Sequence, residues 1–131
     1  MNYIWVTTSV VLAIHDEQIA EHGGRDGVRD LAQLESALAR PKNLLAYSNP
    51  GPDMAELAAA YAYGIDRAQA FYEGNKRTSS VVTETFLDLN GFEFETSDSE
   101  IVETWTALGD NRLTENELAA WIRARLRARK Y

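Results

Sequence analysis

The chain contains no cysteine, so it has neither a disulfide framework nor a thiolate metal site, as suits a reducing compartment. It also lacks any stretch approaching the roughly 18 consecutive apolar residues of a membrane helix, and no helical span is expected. Met1-Asn2-Tyr3-Ile4-Trp5-Val6 has no basic region and too short an apolar run for a secretory signal. The expectation is a cytoplasmic protein with no membrane partner. Positive charge is scarce as well: 13 Lys and Arg stand against 20 Asp and Glu, a net charge of −7. A general nucleic-acid binder presents a basic face that releases counterions from the phosphate backbone, so direct nucleic-acid binding is not expected. Repeats, low-complexity tracts and linker-like segments are absent too. What is present is an ordinary globular composition, 45% apolar and 25% charged in 131 residues. That predicts one domain, residues 1–131, large enough to bury a core without staples.

The punctuation along the chain predicts consecutive helices. Thr7 can cap a helix over 8–22, with Val11, Ile14, Gln18 and Ile19 on one face and Gly23-Gly24 as its stop. Asp30 with Gln33 opens a second, bearing Leu31, Leu34 and Leu38 and ended by Pro41. A turn-rich connection follows, with a short helical piece around Leu44 and Leu45 and then Asn49-Pro50-Gly51-Pro52. Asp53 and Glu56 cap a helix over 54–68 whose small residues predict close packing and a central position. A helix over 76–89 follows, with Val81, Val82, Thr85, Phe86 and Leu89 on one side and Asn90-Gly91 as its stop. Phe92 to Glu95 alternates apolar and acidic residues and reads as a short extended piece. Ser97 with Glu100, and Thr114 with Glu117, cap two more helices. The predicted class is all-α, a compact bundle of about six helices with at most a short extended N-terminal lead-in at Tyr3 to Val6. Arg123, Arg125, Arg127, Arg129 and Lys130 are expected in the last turns of the final helix, complementing its dipole, or else meeting an acidic partner.

The stretch Gln69-Ala70-Phe71-Tyr72-Glu73-Gly74-Asn75-Lys76-Arg77 carries the chemistry. It joins two helices, and the first turn of the second offers unpaired N–H groups around Gly74, Asn75 and Lys76 to an anion. Arg77 can fork onto phosphate oxygens, Lys76 supplies a movable point charge, and Glu73 is a hard oxygen ligand suited to Mg²⁺. Phe71 is read as a core anchor. Asn75 either orients a phosphate or caps the helix. Taken by itself this is also the composition of an ordinary charged surface turn.

The loop, together with Asp66-Arg67, Thr78, Phe86-Leu87-Asp88-Leu89-Asn90-Gly91, Leu12-Ala13-Ile14-His15-Asp16 and Leu34-Glu35-Ser36-Ala37-Leu38, resembles the Fic/Doc superfamily and its death-on-curing (Doc) toxin branch over nearly the whole chain. The family loop reads His-x-Phe-x-acid-Gly-Asn-(Gly or Lys)-Arg. The resemblance implies a phosphotransferase of unconventional fold using ATP and Mg²⁺. Its expected target is a threonine of elongation factor Tu, with translation blocked, and its expected partner is a Phd-like antitoxin. AMP-transferring Fic proteins have glycine after the asparagine and a second arginine three positions beyond the first; here stand Lys76 and Ser80, which argues against the alternative of AMP transfer. The self-inhibitory string of some Fic proteins is absent. The resemblance assigns catalysis to the position of Gln69 and to Arg67, Lys76 and Arg77, nucleotide binding to Gly74, Asn75, Lys76 and Arg77, and the metal to Glu73.

Gln69 occupies the place where the family has its general-base histidine. An imidazole accepts a proton near neutrality, whereas an amide can hydrogen-bond the target hydroxyl but not deprotonate it. Three readings stand: an inactivating change, engineered or selected; a natural loss that leaves a module binding nucleotide or antitoxin; and a tolerated variant in which substrate or solvent takes the proton. Of the two histidines, His15 is expected to be a hydrogen-bonded packing residue and His22 a solvated helix-end residue. Arg67 either contacts nucleotide or target or pairs with Asp66 or Glu73.

Overall fold

The computed structural model describes residues 2–130. Six helices are present among them: α1 (Thr8–His22), α2 (Leu31–Tyr47), α3 (Met54–Ala68), α4 (Asn75–Leu89), α5 (Asp98–Gly109) and α6 (Glu115–Arg123). Two three-residue strands, β1 (Phe92–Phe94) and β2 (Leu126–Ala128), pair antiparallel. The all-α expectation holds, and the helix starts follow their caps. Thr7 accepts from the Val10 N–H, and full capping boxes form at Asp53/Glu56, Ser97/Glu100 and Thr114/Glu117. At Asp30 the carboxylate accepts from the Gln33 N–H.

Helix α3 is the centre, packed against α2, α4, α5 and α6. Leu57, Ala58, Ala59, Tyr61 and Ala62 are fully buried. Its alanines and Gly64 let the neighbours approach closely: a Cβ added at Gly64 would lie 3.2 Å from the Ala37 carbonyl oxygen of α2. The Tyr61 hydroxyl accepts from the Val6 N–H at 3.0 Å, tying the N-terminal segment to the core. Burial pushes that phenol up to about 12. The lead-in at Tyr3 to Val6 forms no strand; the Asn90 side chain pairs with both Ile4 backbone groups.

Three local expectations are corrected. Pro41 does not end α2, which runs on to Tyr47 and absorbs the piece around Leu44 and Leu45. Proline removes one N–H and crowds the preceding turn, but Pro41 is buried along with Leu34, Ala37 and Leu38, and this packing offsets the lost bond. The buried face of α4 is rotated from the expected one. Thr78, Ser79, Val82, Thr83 and Phe86 face the core while Leu89 is exposed. Small hydroxyl residues fit this tight seam: the Ser79 hydroxyl donates to the Ala62 carbonyl and accepts from the Trp105 indole, and the Thr83 hydroxyl donates to the Ser79 carbonyl, whereas the buried Thr78 hydroxyl has no partner among the described residues. The C-terminal arginines are not one helix end. Only Arg123 lies in the last turn of α6. Beyond it Arg125 meets Glu100, Arg127 meets Glu93 and Glu95 across the strand pair, and Arg129 meets Asp88.

Candidate active site

The loop between α3 and α4 is held on every side. Gln69 ends α3 in the left-handed region, φ 47° and ψ 44°, a conformation that costs a non-glycine residue about 1–2 kcal/mol. Its carbonyl accepts from the Arg29 guanidinium. Next, the Ala70 carbonyl accepts from the Arg29 and Asp30 N–H groups, and the Tyr72 N–H donates to the Gly27 carbonyl at 3.5 Å. Val28 and Phe71 thus face each other in an isolated antiparallel bridge. In such a non-hydrogen-bonded pair the residue's own N–H and C=O point away from the partner strand. For Phe71 they meet the Asn75 side chain, whose oxygen accepts from the Phe71 N–H at 3.1 Å and whose nitrogen donates to the Phe71 carbonyl at 2.9 Å.

Asn75 therefore does not cap α4: its amide clamps the loop's main chain from the wall of the site. Phe71 is the expected anchor, 1% exposed and stacked on His15 at 3.8 Å between ring centroids. His15 is the buried, hydrogen-bonded packing residue anticipated, and its Nε2 lies 2.8 Å from the Glu73 carbonyl oxygen. Gly74 turns the chain at φ 82°, and a Cβ there would come within 3.4 Å of the His15 ring. Glycine meets both constraints.

This scaffold opens onto a cavity of about 680 Å³, within the usual range of about 300–1,000 Å³ for small-molecule sites. Its walls are the end of α3 (Asp66, Arg67), the loop (Gln69, Tyr72, Glu73, Gly74), the start of α4 (Asn75, Lys76) and the end of α5 (Gly109, Asp110). No side chain caps α4, so its first-turn N–H groups are left for another acceptor. Among the described residues the Lys76 ammonium hydrogen-bonds the Thr106 hydroxyl, at 3.4 Å. The Glu73 carboxylate has no cation or donor among the described residues, and it lies so close to Gly24 that a Cβ there would fall 2.7 Å from Oε2. A hard unpaired oxygen donor lining the same cavity as an uncapped helix start and a lysine has the chemistry that would hold a divalent cation next to an anion.

Of the residues singled out in the sequence, Arg67, Gln69, Glu73, Gly74, Asn75 and Lys76 are brought together here; Arg77 is exposed and not among those lining the cavity. Arg67 pairs with neither Asp66 nor Glu73. Its guanidinium donates to the Asn111 side chain and lies 5.1 Å from the Tyr63 ring centroid. Asn111 itself sits at φ 60° in the α5–α6 turn. The Gln69 amide is turned inward, its nitrogen donating to the Asp66 carbonyl at 2.6 Å and its oxygen accepting from Asn75 at 3.4 Å. The sequence pattern gave no sign of a role for Asp66 or for the Gly109–Asp110 wall. Burial pushes the Asp66 carboxyl above the usual carboxylate range, with Arg67 and Lys76 pulling the other way. In the sequence it stands out only as a segment of the family resemblance and as an ion-pair candidate for Arg67. A separate group, His15, Asp16 and Asp26, brings ligand atoms within 4.8 Å of one another, but Nε2 of His15 already serves the Glu73 carbonyl.

The Fic/DOC family profile matches residues 5–87. Over 88 residues, 67% of this chain and 69% of its own length, "Protein kinase doc" of Escherichia phage P1 is 30% identical. "Toxin Doc" of Mycolicibacterium smegmatis is 37% identical over 71 residues, 54% of this chain and 55% of that protein. With the family match covering more than half the chain and both relatives Doc proteins, this protein belongs to the Fic/Doc family, in its Doc branch.

Proposed function

We propose that the protein is a Doc-type toxin of a toxin–antitoxin pair, an ATP- and Mg²⁺-dependent phosphotransferase that phosphorylates a threonine of elongation factor Tu and blocks translation, restrained by a Phd-like antitoxin. One observation carries the reading: the uncapped start of α4, Lys76 and the unpaired Glu73 carboxylate converge on one cavity. In this reading the α4 N–H groups and Lys76 hold the phosphates, Arg77 assists from the rim, and Glu73 holds the metal. Bound Mg²⁺ supplies charge neutralisation to the transferring phosphoryl group. Lys76 lines the wall where an AMP-transferring member has glycine, and Ser80 is buried with its hydroxyl donating to the Arg77 carbonyl, so no second arginine is available for a diphosphate. Both features favour transfer of the γ-phosphate.

The second reading, a member that binds nucleotide or antitoxin without turnover, has its own support. The Gln69 amide, at the position of the family's base, is engaged within the loop. The test is to express the chain and its Gln69→His variant, follow growth arrest, and measure label transfer to elongation factor Tu from γ- or α-labelled ATP. Transfer of γ-label with arrest is expected. Transfer of α-label would overturn the phosphotransferase assignment in favour of AMP transfer. Nucleotide binding with transfer by Gln69→His only would establish the second reading for this chain. If neither protein labels the target or slows growth, the toxin reading falls.

A further inference from the structure

Resting on the phosphotransferase reading, we infer that the Asp66 carboxylate receives the proton of the acceptor hydroxyl in this chain, taking over the task that the amide at position 69 cannot perform. Asp66 lies in the last turn of α3, 6% exposed, and forms part of the cavity wall. Its carboxylate has no hydrogen bond and no ion pair among the described residues. The two nearest cations are otherwise engaged, Arg67 with Asn111 and Lys76 with Thr106. Buried carboxylates are normally paired, because an unpaired one is costly to keep. Here the missing partner coincides with access from the cavity. A Cβ built at Gly109 would lie 3.9 and 4.0 Å from the two carboxylate oxygens and 4.0 Å from Lys76 Cε, so Gly109 stands beside the carboxylate with no side chain against it.

The chemistry suits a carboxylate. Conventional protein kinases use an aspartate to accept the substrate hydroxyl proton. Burial raises the proton affinity of Asp66, the direction that makes a carboxylate a better base near neutrality. The charged groups around it are Arg67 on its own helix, Lys76 on α4, Asp110 at the end of α5 and Glu73 from the loop. In the step, the acceptor oxygen bonds to the γ-phosphorus and the bond from that phosphorus to the β,γ-bridging oxygen breaks. The bridging oxygen leaves on the nucleoside diphosphate, and the hydroxyl proton moves to the Asp66 carboxylate. Gln69 acts from beside it, its amide donating to the Asp66 main-chain carbonyl and fixing the end of α3.

The experiment compares the parent chain, Asp66→Asn, Gln69→His and the double variant, with γ-labelled ATP, Mg²⁺ and elongation factor Tu. Loss of a positioned base lowers transfer about 10²- to 10⁴-fold. That loss is expected for Asp66→Asn with retained binding of a fluorescent ATP analogue, and Gln69→His is expected to rescue it in the double variant. A readout independent of turnover is folding stability against pH in the absence of nucleotide. A carboxyl raised in the native state contributes stability that is complete below its unfolded value and lost as pH rises through the folded one, so Asp66→Asn should abolish that part of the slope. If Asp66→Asn transfers label like the parent, or if the slope is unchanged, Asp66 is not the base while the phosphotransferase reading stands. A parent that is inert while Gln69→His transfers likewise rules Asp66 out as the base. If no protein in the set transfers label, the phosphotransferase reading itself fails and the inference falls with it.

Discussion

Replacing Asn75 with alanine should loosen the site from inside. The Asn75 amide is the partner of both main-chain groups of Phe71, at 3.1 and 2.9 Å, and the bridge to Val28 cannot replace it because those groups point away from the bridge. A buried polar group left without its partner costs about 1–3 kcal/mol. Two such groups set an upper range of about 2–6 kcal/mol, and partial opening of the loop to water brings the expectation to about 2–4 kcal/mol. With an unfolding entropy of about 2.1 cal/mol/K per residue, 131 residues give about 0.28 kcal/mol/K, so Tm should fall by roughly 7–15 °C. In urea, at a slope of about 2 kcal/mol per molar for a protein of this size, the midpoint should drop by about 1–2 M. Asn75→Asp separates the two bonds: a carboxylate still accepts from the Phe71 N–H but cannot donate to the carbonyl, so this variant should fall between parent and Asn75→Ala. Hydrogen exchange at the Phe71 amide locates the effect, with protection lost in Asn75→Ala and retained in Asn75→Asp. An Asn75→Ala protein that melts with the parent and keeps Phe71 protected would refute the clamp.

Two further expectations test the frame that carries the site. Gly64→Ala would place a Cβ 3.0 Å from Arg40 Cδ and 3.2 Å from the Ala37 carbonyl oxygen; overpacking of this kind costs about 1–3 kcal/mol, so its urea midpoint should fall despite alanine's better helix propensity. Asp53 caps α3 and takes two bonds from Arg123, at 2.6 and 3.1 Å, and this side-chain bonding holds its carboxyl below the usual range. A lowered carboxyl contributes stability that is present above its unfolded value and lost as pH falls through the folded one, so Asp53→Asn should flatten the acid limb of the stability–pH curve. An unchanged acid limb would mean that the pair with Arg123 does not form in solution.

Helix ends were legible wherever a side chain satisfies the end locally. Thr7, Asp53, Ser97 and Thr114 each accept from a backbone N–H within their own first turn, and a signal that acts over three residues can be read over three residues. Pro41 failed as a stop because its tolerance depends on burial with Leu34, Ala37 and Leu38, which exists only once α2 lies on α3. The C-terminal arginines alternate at the period of a strand, Arg125, Arg127 and Arg129. That period has meaning only when β1 is present as the partner, and without it the same residues read as a basic helix end.

At the site the division has the same cause. The sequence alone determined that an anion-binding helix start, a lysine and a carboxylate occur within a few residues, that a glutamine stands where the family has its base, and which family the chain joins. Folding decided which of these groups share a cavity and what else joins them. Asn75 faces inward to Phe71, Gln69 folds back on its own helix end, and Arg67 is drawn to Asn111 rather than to a neighbouring acid. The end of α5 brings Gly109 beside the Asp66 carboxylate. A capping bond or a glycine turn is settled by neighbours in the chain, whereas the pairing and exposure of a carboxylate depend on which distant segment packs over it, and that follows only from the tertiary arrangement of α3, α4 and α5.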